Sequence, residues 1–224
     1  MEVDGRIQFA IEHTEVLRSP EQSLATFGST NVYYYIVTEL MENANVVREG
    51  RVIAAKPKIV TPTYLINLEG FSQEARRFVE MMAEKHPHEI GVFYSYKNEP
   101  REMNIVSEPF KQVVDKINQR IDMQRDPLSA IIKGVEESWD VSLLKFTFEL
   151  TKSSVYGNVA EMERSGLLRM DNAGVPADAR KSIEELFERA KRDLSFASEL
   201  ATELRRWSLF YEYQDRFFGL FKRD

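Results

Sequence analysis

The hydrophobic pattern changes period near residue 107, and that change limits what the chain can fold into. Before it, apolar residues alternate or cluster as in strands; after it, they recur every three or four positions, as on helices. RIQFAIEHTEV (6–16) sets Ile7, Phe9 and Ile11 on one side of a strand, with Gln8 and Glu12 on the other. NVYYYIVTEL (31–40) is dense in aromatic and β-branched residues, which suit a half-buried pleated surface. In VVREGRVIAA (46–55), Glu49-Gly50 between apolar pairs predicts a tight hairpin, because glycine tolerates positive φ. Pro57 and Pro62 bracket KIV and confine it to an edge strand or a short extension. One helix interrupts the strands, capped by Ser72, with Ala75, Phe78, Val79 and Met82 on one face. IGVFYSYK (90–97) and MNIV (103–106) return to strand. The order predicts a mostly antiparallel sheet carrying one helix.

Ser107-Glu108-Pro109 then opens a run of helices, since serine caps free amides and proline fits the first turn. Phe110, Val113, Val114, Ile117 and Ile121 keep helical spacing. Asp126-Pro127 predicts a second helix burying Leu128, Ile131, Ile132 and Val135, and Asp140 a third burying Val141, Leu144 and Phe148. A fourth carries Val155, Val159 and Met162 and stops at Gly166. Pro176 opens a fifth with Ile183, Leu186, Phe187 and Ala190 inward, and a last one aligns Leu200, Leu204, Trp207, Tyr211 and Phe218. The expectation is an α+β protein: a sheet domain over 1–106 and an all-helical domain over 107–224.

Bulk composition narrows the function classes. The 224-residue chain has no cysteine, which excludes disulfides, thiolate metal sites and thiol nucleophiles. Its net charge of -6 gives no long-range attraction to nucleic acid or anionic lipid, so any such binding rests on a local patch. MEVDGRIQF lacks the basic and apolar regions of a secretory signal, and VYYYIV (32–37) falls far short of the ~20 residues that span a bilayer. A cytoplasmic protein without membrane association is expected.

The most informative stretch is LTKSSVYGNVAEMERSGLL (150–168). Val155, Val159 and Met162 follow i, i+4, i+7, Leu150 sits where a turn would place it, and Gly166 precedes Leu167-Leu168. With the two helices expected before it, the segment 126–170 resembles the helix-turn-helix and winged-helix transcription regulators. That resemblance implies a tri-helical unit in which Lys152, Ser153, Ser154, Tyr156 and Asn158 face duplex DNA, with Arg164 and Arg169 adding backbone contacts. The alternative for the same residues is an amphipathic helix with a glycine C-cap.

Other sites are weaker. His86-Pro87-His88-Glu89 offers two imidazoles and a carboxylate, but with His13 the only other histidine the segment reads as a helix-to-strand loop, and no metal is expected. The ten glycines form neither G-x-G-x-x-G nor G-x-x-x-x-G-K-[ST], so no nucleotide cofactor is implied. No carboxylate pair or nucleophile context requires an enzyme. The aromatic residues Tyr33, Tyr35, Tyr94 and Tyr96 on the sheet, with Trp207 and Tyr211 near the C-terminus, form a candidate partner-binding set. Two functions follow: a non-catalytic regulatory or DNA-associated protein using residues 126–170, or an interaction or assembly component that binds another protein, or a second copy of itself, without DNA.

Overall fold

The computed structural model describes residues 3–67, 72–85 and 90–222. In chain order the elements begin with α1 (Val3–His13), β1 (Glu15–Arg18), β2 (Thr30–Met41), β3 (Ala44–Ala54), β4 (Lys58–Val60), α2 (Pro62–Ile66) and α3 (Gln73–Lys85). They continue with β5 (Gly91–Phe93), β6 (Tyr96–Val106), α4 (Phe110–Gln124), β7 (Ser129–Gly134) and α5 (Trp139–Arg164). Three helices end the chain: α6 (Ala177–Arg192), α7 (Ala197–Arg206) and α8 (Phe210–Gly219). The protein is α+β, with a mostly antiparallel sheet in the N-terminal half and helices dominating the C-terminal half. It divides into two compact units, 1–56 with 94–159 and 57–93 with 160–224. That division departs from a boundary at 107, because segments from both sides of that point build one sheet.

In the first unit the sheet runs β1-β7-β2-β3-β6; β7 is parallel to β2 and the other pairs are antiparallel. The central strand β2 is buried on both faces. Val32, Tyr34 and Ile36 pack with Leu143 and Phe146 of α5, while Tyr35 and Val37 pack with Val113, Ile117 and Ile121 of α4. Alternation along the pleat thus sends two sets of apolar side chains into two cores.

Four expectations are corrected here. Residues 3–13 form a helix, so Ile7, Phe9 and Ile11 are exposed and Ala10 is the buried contact. Alternation alone did not decide it; only 15–18 remains strand. Gly50 makes no turn: β3 passes straight through it, and the chain reverses at Glu42-Asn43, where Asn43 takes φ 56°. A Cβ at Gly50 would collide with the phenol of Tyr34 and approach the carbonyl oxygen of Glu99 to 2.8 Å, so the glycine makes room for a ring crossing the strand. Residues 127–135 are not helical, and only Glu136–Ser138 form a single 3-10 turn before α5. Asp126 accepts a bond from the Leu128 amide at 2.9 Å, a local turn, and Ala130-Ile131-Ile132 enter the sheet as a fully buried strand. A short apolar run buried on both faces carries no period that separates strand from helix. Finally, α5 is unbroken through 149–152, so there is no tri-helical unit. Thr147, Thr151 and Ser154 return their hydroxyls to carbonyls four residues back, at 2.9, 2.6 and 2.7 Å, which satisfies within the helix the groups that suggested a turn.

The glycine stop is as expected. Gly166 at φ 71° lets its amide reach Glu163 O (2.9 Å) and that of Leu167 reach Met162 O (3.0 Å), with Met162 and Leu167 in contact, a Schellman closure.

The second unit joins the two-stranded β4-β5 sheet to α2, α3, α6, α7 and α8. Ile183, Leu186, Phe187 and Ala190 of α6 form its core with Leu200 and Leu204 of α7, as the spacing predicts. The last stripe is two helices rather than one, because Ser208 at φ 57° ends α7 with the same closure, Leu209 N to Leu204 O at 2.7 Å. Trp207 is buried against Tyr64, and Tyr211 is left exposed.

Candidate functional site

The residues assigned to DNA contact do not share one surface. Ser154 and Asn158 are 1% and 4% exposed. Ser154 Oγ accepts from the Leu24 amide at 3.1 Å, and Asn158 bonds Thr26 at 3.2 Å and the Tyr94 hydroxyl at 3.0 Å. Both pin the loop before β2, and Tyr94, to α5. Lys152, Ser153 and Tyr156 lie on the exposed side of α5. Arg164 and Arg169 are exposed and belong to the second unit, Arg164 bonding Ala160 O at 3.2 Å.

The aromatic set separates similarly. The Tyr94 and Tyr96 rings stack 6.4 Å apart and their hydroxyls bond Asn158 and Thr151, so they anchor α5 to the sheet. Trp207 is core. Of these residues Tyr33 and Tyr35 line a cavity together.

That cavity, about 590 Å³ and open to solvent, lies on the α4 side of the sheet. β2 supplies Tyr33 and Tyr35, β3 Glu49, and β6 Arg101; the end of α4 and the turn after it supply Arg120, Gln124, Arg125 and Asp126. The placement follows from register. Tyr35 faces Glu49 and Tyr33 faces Arg51 across β2-β3, and β6 adds its arginine where the β3-β6 pairing slips beside Gly50. The apolar contacts of α4 end at Ile121, so the helix covers Val37 and Val47 and leaves the tyrosine end of the sheet open.

Charge in the cavity is unevenly satisfied. Arg120 pairs with Glu49 at 2.6 Å and lies 4.6 Å from the Tyr35 ring centroid. Its Nε is nevertheless buried without a hydrogen-bond partner. Burial pushes the Tyr35 phenol above its ordinary value, and the Arg120 charge opposes that rise. Arg101 sits 5.1 Å from the Tyr33 centroid and makes no ion pair among the described residues. Arg125, in the left-handed region at φ 51°, also makes none. Of the acids, Glu49 is paired with Arg120, while Asp126 accepts, among the described residues, only from the Leu128 amide and keeps its charge. The lining thus carries three guanidiniums against two carboxylates, and one of the three is ion-paired. Sequence reasoning missed all three arginines, which are ordinary charged residues on three separate segments.

His13 stacks on Phe9, with centroids 3.8 Å apart, and the His86–Glu89 segment lies outside the described residues. Among the described residues no three His, Asp or Glu side chains could hold a metal, and no helix is long and apolar enough to cross a membrane. Set against protein-family models, curated proteins and solved structures, the chain matches none of them.

Proposed function

We propose that this chain is a non-catalytic interaction protein whose tyrosine and arginine cleft binds an acidic segment of a protein partner. The observation that carries the reading is the pair Arg101 and Arg125, which make no ion pair among the described residues and which, with Arg120, give one cleft three guanidiniums against the two carboxylates of Glu49 and Asp126. A guanidinium offers a planar fork matched to carboxylate, and each charge-assisted hydrogen bond contributes about 1.5–3 kcal/mol. The carbonyl end of α4 opposes an anion by about 0.3–1 kcal/mol, which two arginines outweigh. Nucleic acid fits less well. Tyr35 is buried and one face of Tyr33 is occupied by Arg101, so neither ring is a free platform for a base.

The test is fluorescence anisotropy with a labelled glutamate-rich peptide, a neutral peptide of equal length and a single-stranded oligonucleotide. The expected result is binding of the acidic peptide alone, weakening with salt and falling at least about tenfold in Arg101→Ala/Arg125→Ala. Preference for the oligonucleotide, or no binding at about 50 mM salt, overturns the reading.

A further inference from the structure

The opposite side of the first unit carries a feature that the fold does not use. On α5, Leu144, Phe148 and Tyr156 are 69%, 70% and 81% exposed, although the first two have the spacing of core residues. Single exposed apolar side chains are common on soluble proteins and need no explanation. These three are not scattered. With Lys152 they occupy successive i+4 positions, one ridge about 18 Å long at 1.5 Å per residue.

The ridge has its midpoint level with residue 150 along the helix, on the side away from the Leu150 side chain, which packs against the core. A twofold axis there sets Leu144 opposite the Tyr156 of a second copy, and Phe148 opposite its Lys152. Two apolar contacts form at the ends, and the aliphatic stem of Lys152 covers Phe148 on each side of the centre. Charge follows the same symmetry. Lys152 has no carboxylate partner among the described residues, and Glu149, beside Phe148, holds only the exposed end of a 3.5 Å pair with Lys145. Lys145 has another partner, since its ammonium donates to Thr14 O at 2.9 Å. The Glu149 carboxylate, half exposed and held by Lys145 only at 3.5 Å, can thus take Lys152 of the other copy as a second partner.

We propose that α5 is a self-association surface, pairing with α5 of a second copy through the Leu144-Phe148-Lys152-Tyr156 ridge and two symmetric Glu149–Lys152 ion pairs. The patch is short, so the dimer is weak and concentration-dependent rather than obligate. The proposal is independent of the cleft reading, which concerns the other face of the sheet.

The test is sedimentation equilibrium of the full chain from about 1 to 200 µM, the range in which small interfaces associate. The wild-type mass is expected to climb from 26.1 kDa toward twice that value. Phe148→Ser, Glu149→Lys and Lys152→Glu should each weaken association at least about tenfold. The two charge variants mixed together should recover it, because only the mixed pair restores Glu–Lys contacts on both sides of the axis. A helix stabilised internally gains nothing from mixing. A wild-type chain that stays monomeric throughout overturns the proposal. So does a dimer that tolerates Phe148→Ser, or charge variants that fail to complement each other.

Discussion

On each face of the sheet an arginine lies over an aromatic ring beside a glutamate, and the two clusters differ in what they leave unsatisfied. On the α5 face, Arg48 makes two bonds to Glu136, at 2.6 and 2.8 Å, reaches Thr38 Oγ1 at 3.3 Å, and stands 5.3 Å from the Trp139 centroid. Thr38, which is fully buried, also donates to Glu136. Every charged group there has a partner from the protein. On the α4 face, Arg120 makes one ion pair, its Nε has no acceptor, and Arg101 and Arg125 make no ion pair among the described residues. The same residue chemistry therefore closes one face of the sheet and leaves the other receptive. Satisfaction of donors, rather than residue type, distinguishes Arg48 from the arginines proposed to bind a partner.

The sharpest way to break this contrast is on the closed side. Arg48→Ala leaves Glu136 without its partner at a site where the two side chains are 13% and 25% exposed. Fully buried pairs lose about 3–5 kcal/mol on such a change; with this exposure about 2–3 kcal/mol is expected. The two tryptophans fall one in each unit, so Trp139 emission in a Trp207→Phe background reads the first unit during urea unfolding. A loss below about 1 kcal/mol would place Arg48 with the open-side arginines.

Acid provides a second probe of the same cluster. The hydrogen bond from Arg48 holds the Glu136 carboxyl below its ordinary value of 4.5, with burial opposing and Thr38 adding to the effect. A carboxyl lowered in the folded state contributes stability above its unfolded value and loses it as pH falls through the folded one. Unfolding free energy read by Trp139 should drop from roughly pH 5 downward, and Glu136→Gln should make that drop shallower. Equal slopes in the two proteins would show that other carboxyls set the acid limit.

Arg120 is intermediate. Arg120→Ala strands Glu49, whose side chain is 21% exposed, and uncovers Tyr35. A loss of about 1–2 kcal/mol is expected, together with weaker acidic-peptide binding, measured by the same unfolding and anisotropy experiments.

How much of this could be read from the sequence follows the range of the interactions. Local chemistry was readable: the glycine closure at Gly166, the buried face of α6 and the dense apolar strand β2 depend on neighbours within a few positions. Tyr33 and Tyr35 are legible as candidates because a run of aromatic residues on a strand puts rings on both faces of the sheet, and only one face can meet a given core. The rest depended on long-range pairing. Ala130-Ile131-Ile132 become strand only because β1 and β2 stand ready on both sides. Leu144 and Phe148 have core spacing yet face solvent, because Leu143 and Phe146 on the same helix meet the sheet instead. The cleft arginines come from β6, α4 and the following turn, and no local pattern signals that a bulged pairing and a helix end will bring them together.

Arg101 offers the finest test of the contrast, since the expected change in stability is the smallest. Its guanidinium rests on Tyr33 without an ion pair, and an exposed cation–π contact contributes about 0.5–1 kcal/mol. The aliphatic stem removed with it lies on an exposed strand at the sheet edge. Arg101→Ala should therefore shift the unfolding midpoint by less than the equivalent of about 0.5–1 kcal/mol while weakening the acidic peptide several-fold. Arg101→Lys keeps the charge and loses the planar fork. If the anion is held through paired hydrogen bonds, lysine should restore only part of the affinity. Full restoration would mean that the cleft senses charge alone, and that its geometry selects nothing.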